Sequence, residues 1–263
     1  DTFNTAVGAD AGLSVTTGVQ NTLLGGAAGD ALTDADNNVA VGFAALTTET
    51  LGSHNTAVGS LSASNKTTAT NSYNTAVGSS AGANVTTGLF NTLVGGLSGD
   101  ALTDADYNTG LGYLALSTDT LGSNSVAVGA FALRDQNLTT ATDSFNTAVG
   151  YNAGGDVTTG AQNTLLGGLA GDALTGADFN VAVGVGALSG DTLGSRSVAI
   201  GQHALQVQNF TTATNSYNVA MGYNAGVSVS TGVQNTLIGS LTGDAITTGV
   251  QNTIVGYNND VDT

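Results

Sequence analysis

Apolar and polar positions along the chain fall into a five-residue word, Asn-Thr-Ala-Val-Gly with close variants. It begins at residues 4, 21, 38, 55, 74, 91, 108, 125, 146, 163, 180, 197, 218, 235 and 252. Counting its first residue as position zero, position one is always Thr or Val, position three is aliphatic or Met, and position four is Gly. β-Branched residues suit a pleated backbone, and the two-residue period of a strand puts positions one and three on one face. The word therefore predicts a short strand ending at a corner. There the Gly allows a positive φ or a backbone approach too close for a Cβ. A small residue follows at position seven, as in Ala11, Ala28, Ala45 and Ala81.

On this reading positions one and three face the core. Positions zero and two then form a flat stripe on the opposite side, with Asn at position zero in all copies but Ser125 and Ser197. Position two reads Ala6, Leu23, Ala40, Ala57, Ala76, Leu93, Gly110, Ala127, Ala148 and Leu165. An exposed apolar stripe of this kind marks an interface. Three copies packing these stripes around an axis would cover it, with Asn amides bonding along or across the stack. Loops folding over the stripe in a monomer are the other solution.

Most words lie 17 residues apart, but every fourth interval is 19 or 21. A superperiod results, with superrepeats at 4–73, 74–145, 146–217 and an incomplete 218–263. Residues 21–36 read NTLLGGAAGDALTDAD and residues 91–106 read NTLVGGLSGDALTDAD. One strand and corner per 17 residues is the mark of a β-solenoid, each coil stacked on the last. The expected fold is all-β, a parallel β-roll of about fifteen coils of 17–21 residues in a single array over 1–263. Fifteen coils at about 4.8 Å each make a rod of roughly 70 Å. Abundant Gly and Thr, with no 3.6-residue apolar stripe, oppose helix. Large right-handed coils need more than 17 residues. The expected ladder residues are Asn4, Asn21, Asn38, Asn55, Asn74 and Asn91, with corner glycines Gly8, Gly25, Gly42, Gly59, Gly78 and Gly95.

Composition removes several functions. Three basic residues against 19 acidic ones, a net charge of −16, cannot neutralise phosphates, so nucleic acid is not an expected partner. The same charge disfavours an anionic membrane surface, and no apolar run is long enough for insertion. There is no Cys, hence no disulfide or thiolate chemistry.

The words NTAVG, NVAVG, SVAVG (125–129) and SVAIG (197–201) resemble the head repeats of trimeric autotransporter adhesins. Residues 146–160, NTAVGYNAGGDVTTG, are similar to 17-residue repeats of phage tail fibres. The resemblance spans essentially the whole chain. It implies a left-handed parallel β-roll, a homotrimer, and a rigid adhesive stalk or head outside the cell, on a cell surface or virion. The 17-residue period and the long fourth coil depart from adhesin heads and favour a fibre shaft, and no ligand site carries over. Phe3 stands where Tyr73, Phe145 and Tyr217 close long coils, and the chain stops twelve residues into a coil, as a fragment of a longer fibre would.

Candidate chemistry is sparse. His54 and His203 occur singly and read as surface residues. No nucleophile elbow or phosphate loop is present, and Lys66 is the only lysine. Catalysis and a bound cofactor are not expected. Asp30, Asp34 and Asp36, repeated as Asp100, Asp104 and Asp106, are hard oxygen ligands that suit Ca²⁺. Asp172 and Asp178 recur in the third copy around Gly176. Turn-forming Asp on a solvated edge explains the same pattern. The long coils hold Lys66, Arg134, Phe131 and residues 202–210, and each keeps Thr-Thr-Ala-Thr (67–70, 139–142, 211–214). These segments suit multivalent contact with a surface receptor, a glycan in the fibre reading, or a collar shielding the roll edge. Two further functions stay open. One is an ice-binding solenoid, which needs the Thr of position one to face outward, although its exchange with Val in five copies places it inward. The other is a calcium-stabilised surface-layer or filament protein.

Overall fold

A computed structural model describes residues 3–66 and 71–260; Thr67–Thr70 of the first long coil lie outside them. The described residues contain strands, turns and irregular backbone, and no helix. About fifteen parallel coils form a β-solenoid. The chain divides into two compact units, Asp1–Ser125 with Asn137–Asp143, and Val126–Gln136 with Ser144–Thr263. In the first, seven three-residue strands pair in parallel, from Thr5–Val7 to Thr109–Leu111. In the second, eight do so, from Val126–Val128 to Thr253–Val255. Register is like on like. Thr22 pairs with Thr5 and Val39, and Leu23 with Ala6 and Ala40. Two-residue ladders add a second contact at long coils, Gly122–Ser123 with Thr142–Asp143 and Gly194–Ser195 with Thr214–Asn215.

The corner Gly meets both demands placed on it. Gly167 has φ 139°, and a Cβ there would stand 2.6 Å from the carbonyl oxygen of Gly184 in the next coil. The backbone also reverses at the residue preceding each Asn, where fifteen non-Gly residues from Phe3 to Gln251 hold φ between 48° and 66°. Such a conformation is disfavoured for a side chain, so stacked hydrogen bonds must hold it. Asn37 N–H donates to Val19 O, and His54 N–H to Asp36 O, both at 3.0 Å.

The faces of the strand are the reverse of the sequence expectation. Position two is the core: Leu23, Ala40, Ala57, Ala127, Ala148 and Leu165 are fully buried, and so is the Asn of position zero in all but the terminal coils. Positions one and three face solvent. Val94, Val149, Met221 and Ile238 are 38–40% exposed. The physical reason is the narrowness of the coil. A Leu at position two fits only where the residue at position eight is Gly. The Leu23 methyls lie 2.8 Å from where Cβ atoms on Gly12 and Gly29 would stand. Where position two is Ala, as in Ala40, Ala127, Ala182 and Ala199, position eight is a buried Leu (Leu46, Leu133, Leu188, Leu205). Core volume is thus kept nearly constant, as close packing requires. Larger β-branched side chains are left to the outside.

The Asn ladder therefore works inside each coil. Asn163 Nδ2 donates to Ala177 O (2.8 Å), closing its own turn, and its Oδ1 accepts the N–H of Asn180 (3.0 Å) in the next. The same pair of bonds recurs at Asn21, Asn91 and Asn108. Expected ladder residues Asn4, Asn21, Asn38, Asn55 and Asn74 all pass an Oδ1 to the following word, and so bind the stack along its axis rather than across an interface.

Candidate functional site

No Asp, Glu, Lys or Arg occupies positions zero to five in any of the fifteen words. All 22 charged residues lie elsewhere. The strand face is thus an uncharged array of Thr or Val beside Val, Leu, Ile or Met. Its borders are aromatic. Of the 14 Phe and Tyr, seven precede the Asn (Phe3, Tyr73, Phe90, Tyr107, Phe145, Phe179, Tyr217) and five sit at position five (Phe43, Tyr113, Tyr151, Tyr223, Tyr257). All twelve are exposed by 40% or more.

One border is ordered by ring stacking. His54, Tyr73, Phe90 and Tyr107 form a column with centroids 4.8, 5.5 and 5.0 Å apart and planes within 7° of parallel. The coil repeat sets this spacing, because rings one coil apart in register must lie about one strand spacing from each other. His54 is thus the half-buried end of a stack rather than a free surface residue. In the second unit Arg196 lies over Phe179 at 4.4 Å.

The acidic residues serve the turns. Asp36 Oδ1 accepts Val19 N–H and Asp106 Oδ1 accepts Leu89 N–H, each at 2.7 Å. Asp34 and Asp104 accept Thr17 and Thr87 hydroxyls, and Asp30 accepts Thr47 Oγ1 at 2.7 Å. Asp178 repeats the backbone contact with Ala161. At the positions equivalent to Thr47 stand Ser117 and Ser189, and Asp100 and Asp172 each keep a buried carboxylate oxygen without a hydrogen bond. Burial raises both carboxyls from their ordinary value. Among the described residues, no three His, Cys, Asp or Glu side chains gather closely enough to hold a metal ion. Chelation with EDTA is expected to leave the melting temperature unchanged; a fall on chelation, reversed by added Ca²⁺, would revive the calcium reading.

The long coils split into an exposed and a buried part. Residues 139–142 and 211–213 are exposed. Arg134 is pinned by Asp135 (2.6 Å) and Asp156 (3.0 Å), the Asp135 hydrogen bond first among the causes that hold its guanidinium firmly protonated. Lys66, Gln136, Gln208 and Phe210, in contrast, are buried. Lys66, expected at a recognition loop, instead belongs to an internal polar cluster that the sequence reading missed. The traceable signal was covariation across superrepeats: Glu49–Asn55–Lys66 becomes Asp119–Ser125–Gln136 and then Asp191–Ser197–Gln208.

Compared with models of known protein families and with curated proteins, the chain matches none.

Proposed function

We propose that this chain is a segment of a non-catalytic structural and adhesive fibre, acting outside the cell on a cell surface or virion. Copies associate through the outward Thr/Val face, three together as the resemblance to adhesin heads and tail fibres implies. The observation that carries this reading is the charge-free, aromatic-bordered strand face on a chain of net charge −16. Apolar faces with aromatic residues and no charge are typical of interface centres. Like charges placed away from that face are separated when copies meet, so repulsion between acidic chains is weakened by distance and salt. The exposed Thr-rich loops of the long coils are the elements offered to a surface receptor, with a glycan as the expected class.

Light scattering tests the association. The expected mass is three chains of 25.6 kDa. Val149→Lys combined with Ile238→Lys, two outward residues, is expected to give a monomer with an unchanged circular dichroism spectrum. A wild-type monomer, or a trimer indifferent to both lysines, overturns the reading.

One observation favours a second reading. Thr at position one does face outward, which meets the geometric condition for an ice-binding array. Ice-crystal shaping and freezing hysteresis at micromolar protein would support it, and their absence would remove it.

A further inference from the structure

We infer that Lys66 and Asn74 become joined by an intramolecular amide bond, with Glu49 as the proton carrier. Lys66 and Glu49 are fully buried and Asn74 nearly so. Lys66 Nζ donates to Gly88 O at 2.7 Å, and Asn74 Nδ2 donates to that same oxygen at 2.8 Å. Amine and amide are therefore neighbours around one acceptor.

The sister coils show where the slots lead. Gln136 and Gln208, at the position of Lys66, receive Asn146 and Asn218 Nδ2 on Oε1 at 2.8 Å. Gln208 Nε2 in turn donates to Asp191 Oδ2 at 2.5 Å. Carboxylate, middle side chain and ladder Asn thus form one hydrogen-bonded chain in that coil. Glu49 holds the carboxylate slot in the first superrepeat. It accepts Gly52 N–H at 2.7 Å, as Asp191 accepts Gly194 N–H at 3.0 Å. There the amide in the middle slot is replaced by an amine.

Burial prepares both groups. It lowers the Lys66 ammonium to about 8 and raises the Glu49 carboxyl, so neutral forms of both are accessible near physiological pH. The neutral Nζ attacks Asn74 Cγ, a Lys amine acting as nucleophile. The Nζ–Cγ bond forms, and the carbonyl electrons move to Oδ1, which already accepts Asn91 N–H at 2.8 Å. Glu49 takes a proton from Nζ and delivers one to Nδ2. The carbonyl re-forms, the Cγ–Nδ2 bond breaks and ammonia leaves. One amide replaces another, with no oxidant or cofactor.

Lys66 is the only lysine, which makes the test simple. The denatured wild-type chain should weigh about 17 Da less than its sequence, the mass of the ammonia lost when the amine attacks. An amine-reactive label should then find only the α-amino group. Lys66→Gln, the residue of the sister coils, should fold and keep full mass, which separates the cross-link from ammonia loss by Asn cyclisation elsewhere. Glu49→Gln should keep full mass and a labelled Lys66. A folded wild-type chain of full mass with Lys66 labelled after denaturation overturns the inference. Complete cross-linking in Glu49→Gln overturns the role of Glu49.

Discussion

Gly167→Ala should lower the melting temperature sharply, whereas the same change at the next residue, Gly168, should leave it almost unchanged. Gly167 sits at φ 139°, where a side chain is strained whatever the space around it. Its Cβ would also meet backbone atoms of the adjoining coil, at 2.6 Å (Gly184 O), 2.7 Å (Gly184 C) and 3.1 Å (Val185 N). No flexible side chain is there to yield, so relief requires two coils to separate and lengthen their parallel ladder. Strain and clash together should cost about 3–5 kcal/mol, at the upper end for one substitution. For a chain of this size that is a fall on the order of 10 °C. At Gly168 the nearest atom to a new Cβ is Tyr151 O at 3.9 Å, an ordinary contact. Thermal unfolding of the two variants in parallel checks the claim. Equal melting temperatures would mean that the glycine column is dispensable.

Asn163→Ala should be the second severe change. It strips a partner from Ala177 O and from Asn180 N–H, both bonded through the Asn163 amide in the coil interior. Each buried group left unpaired costs about 1–3 kcal/mol. Asn163→Asp separates the two halves of the amide. A carboxylate still accepts from Asn180 but cannot donate to Ala177 O, and it brings a charge into a fully buried site. Burial should raise the folded pKa of this carboxyl above its unfolded value of roughly 4. Its neutral form, which can donate to Ala177 O, is then favoured in the folded state. Relative to wild type, Asn163→Asp should therefore be most stable below about pH 4 and lose stability as pH rises through the raised folded pKa. Paired melting curves at pH 4 and pH 7 measure that difference, and a gap that fails to widen with pH removes the argument.

Much of the fold was legible because the repeat is nearly perfect. The 17-residue interval, the Thr-Ala-Val strand and the Gly corner each reappear where the sequence places them. The inside of the strand was not legible from β-branching, which marks residues that fit a pleated surface without saying which surface is covered. Leu23 and Leu46 held the missing clue. Apolar bulk moves between positions two and eight, with Gly or Ala opposite each Leu, and only side chains sharing a confined volume must trade size in that way. The outward face was consequently assigned to Asn and Ala when it belongs to Thr5, Val7 and their successors. His54 and Lys66 were hidden for another reason. Each occurs once, so only the alignment of superrepeats shows that one continues an aromatic column and the other replaces a buried Gln.

Each strand bonds only to the coils before and after it, at a fixed sequence interval. Within either unit, then, tension on one end of the chain acts on a single row of hydrogen bonds at a time. A coil that lets go returns 17 residues, roughly 60 Å of extended backbone, and the next row takes up the load. Every fourth release is longer, by the two or four extra residues of the long coil. Pulled in this way, the chain would give up length in counted steps, with a recurring long one that marks the passage of a superrepeat.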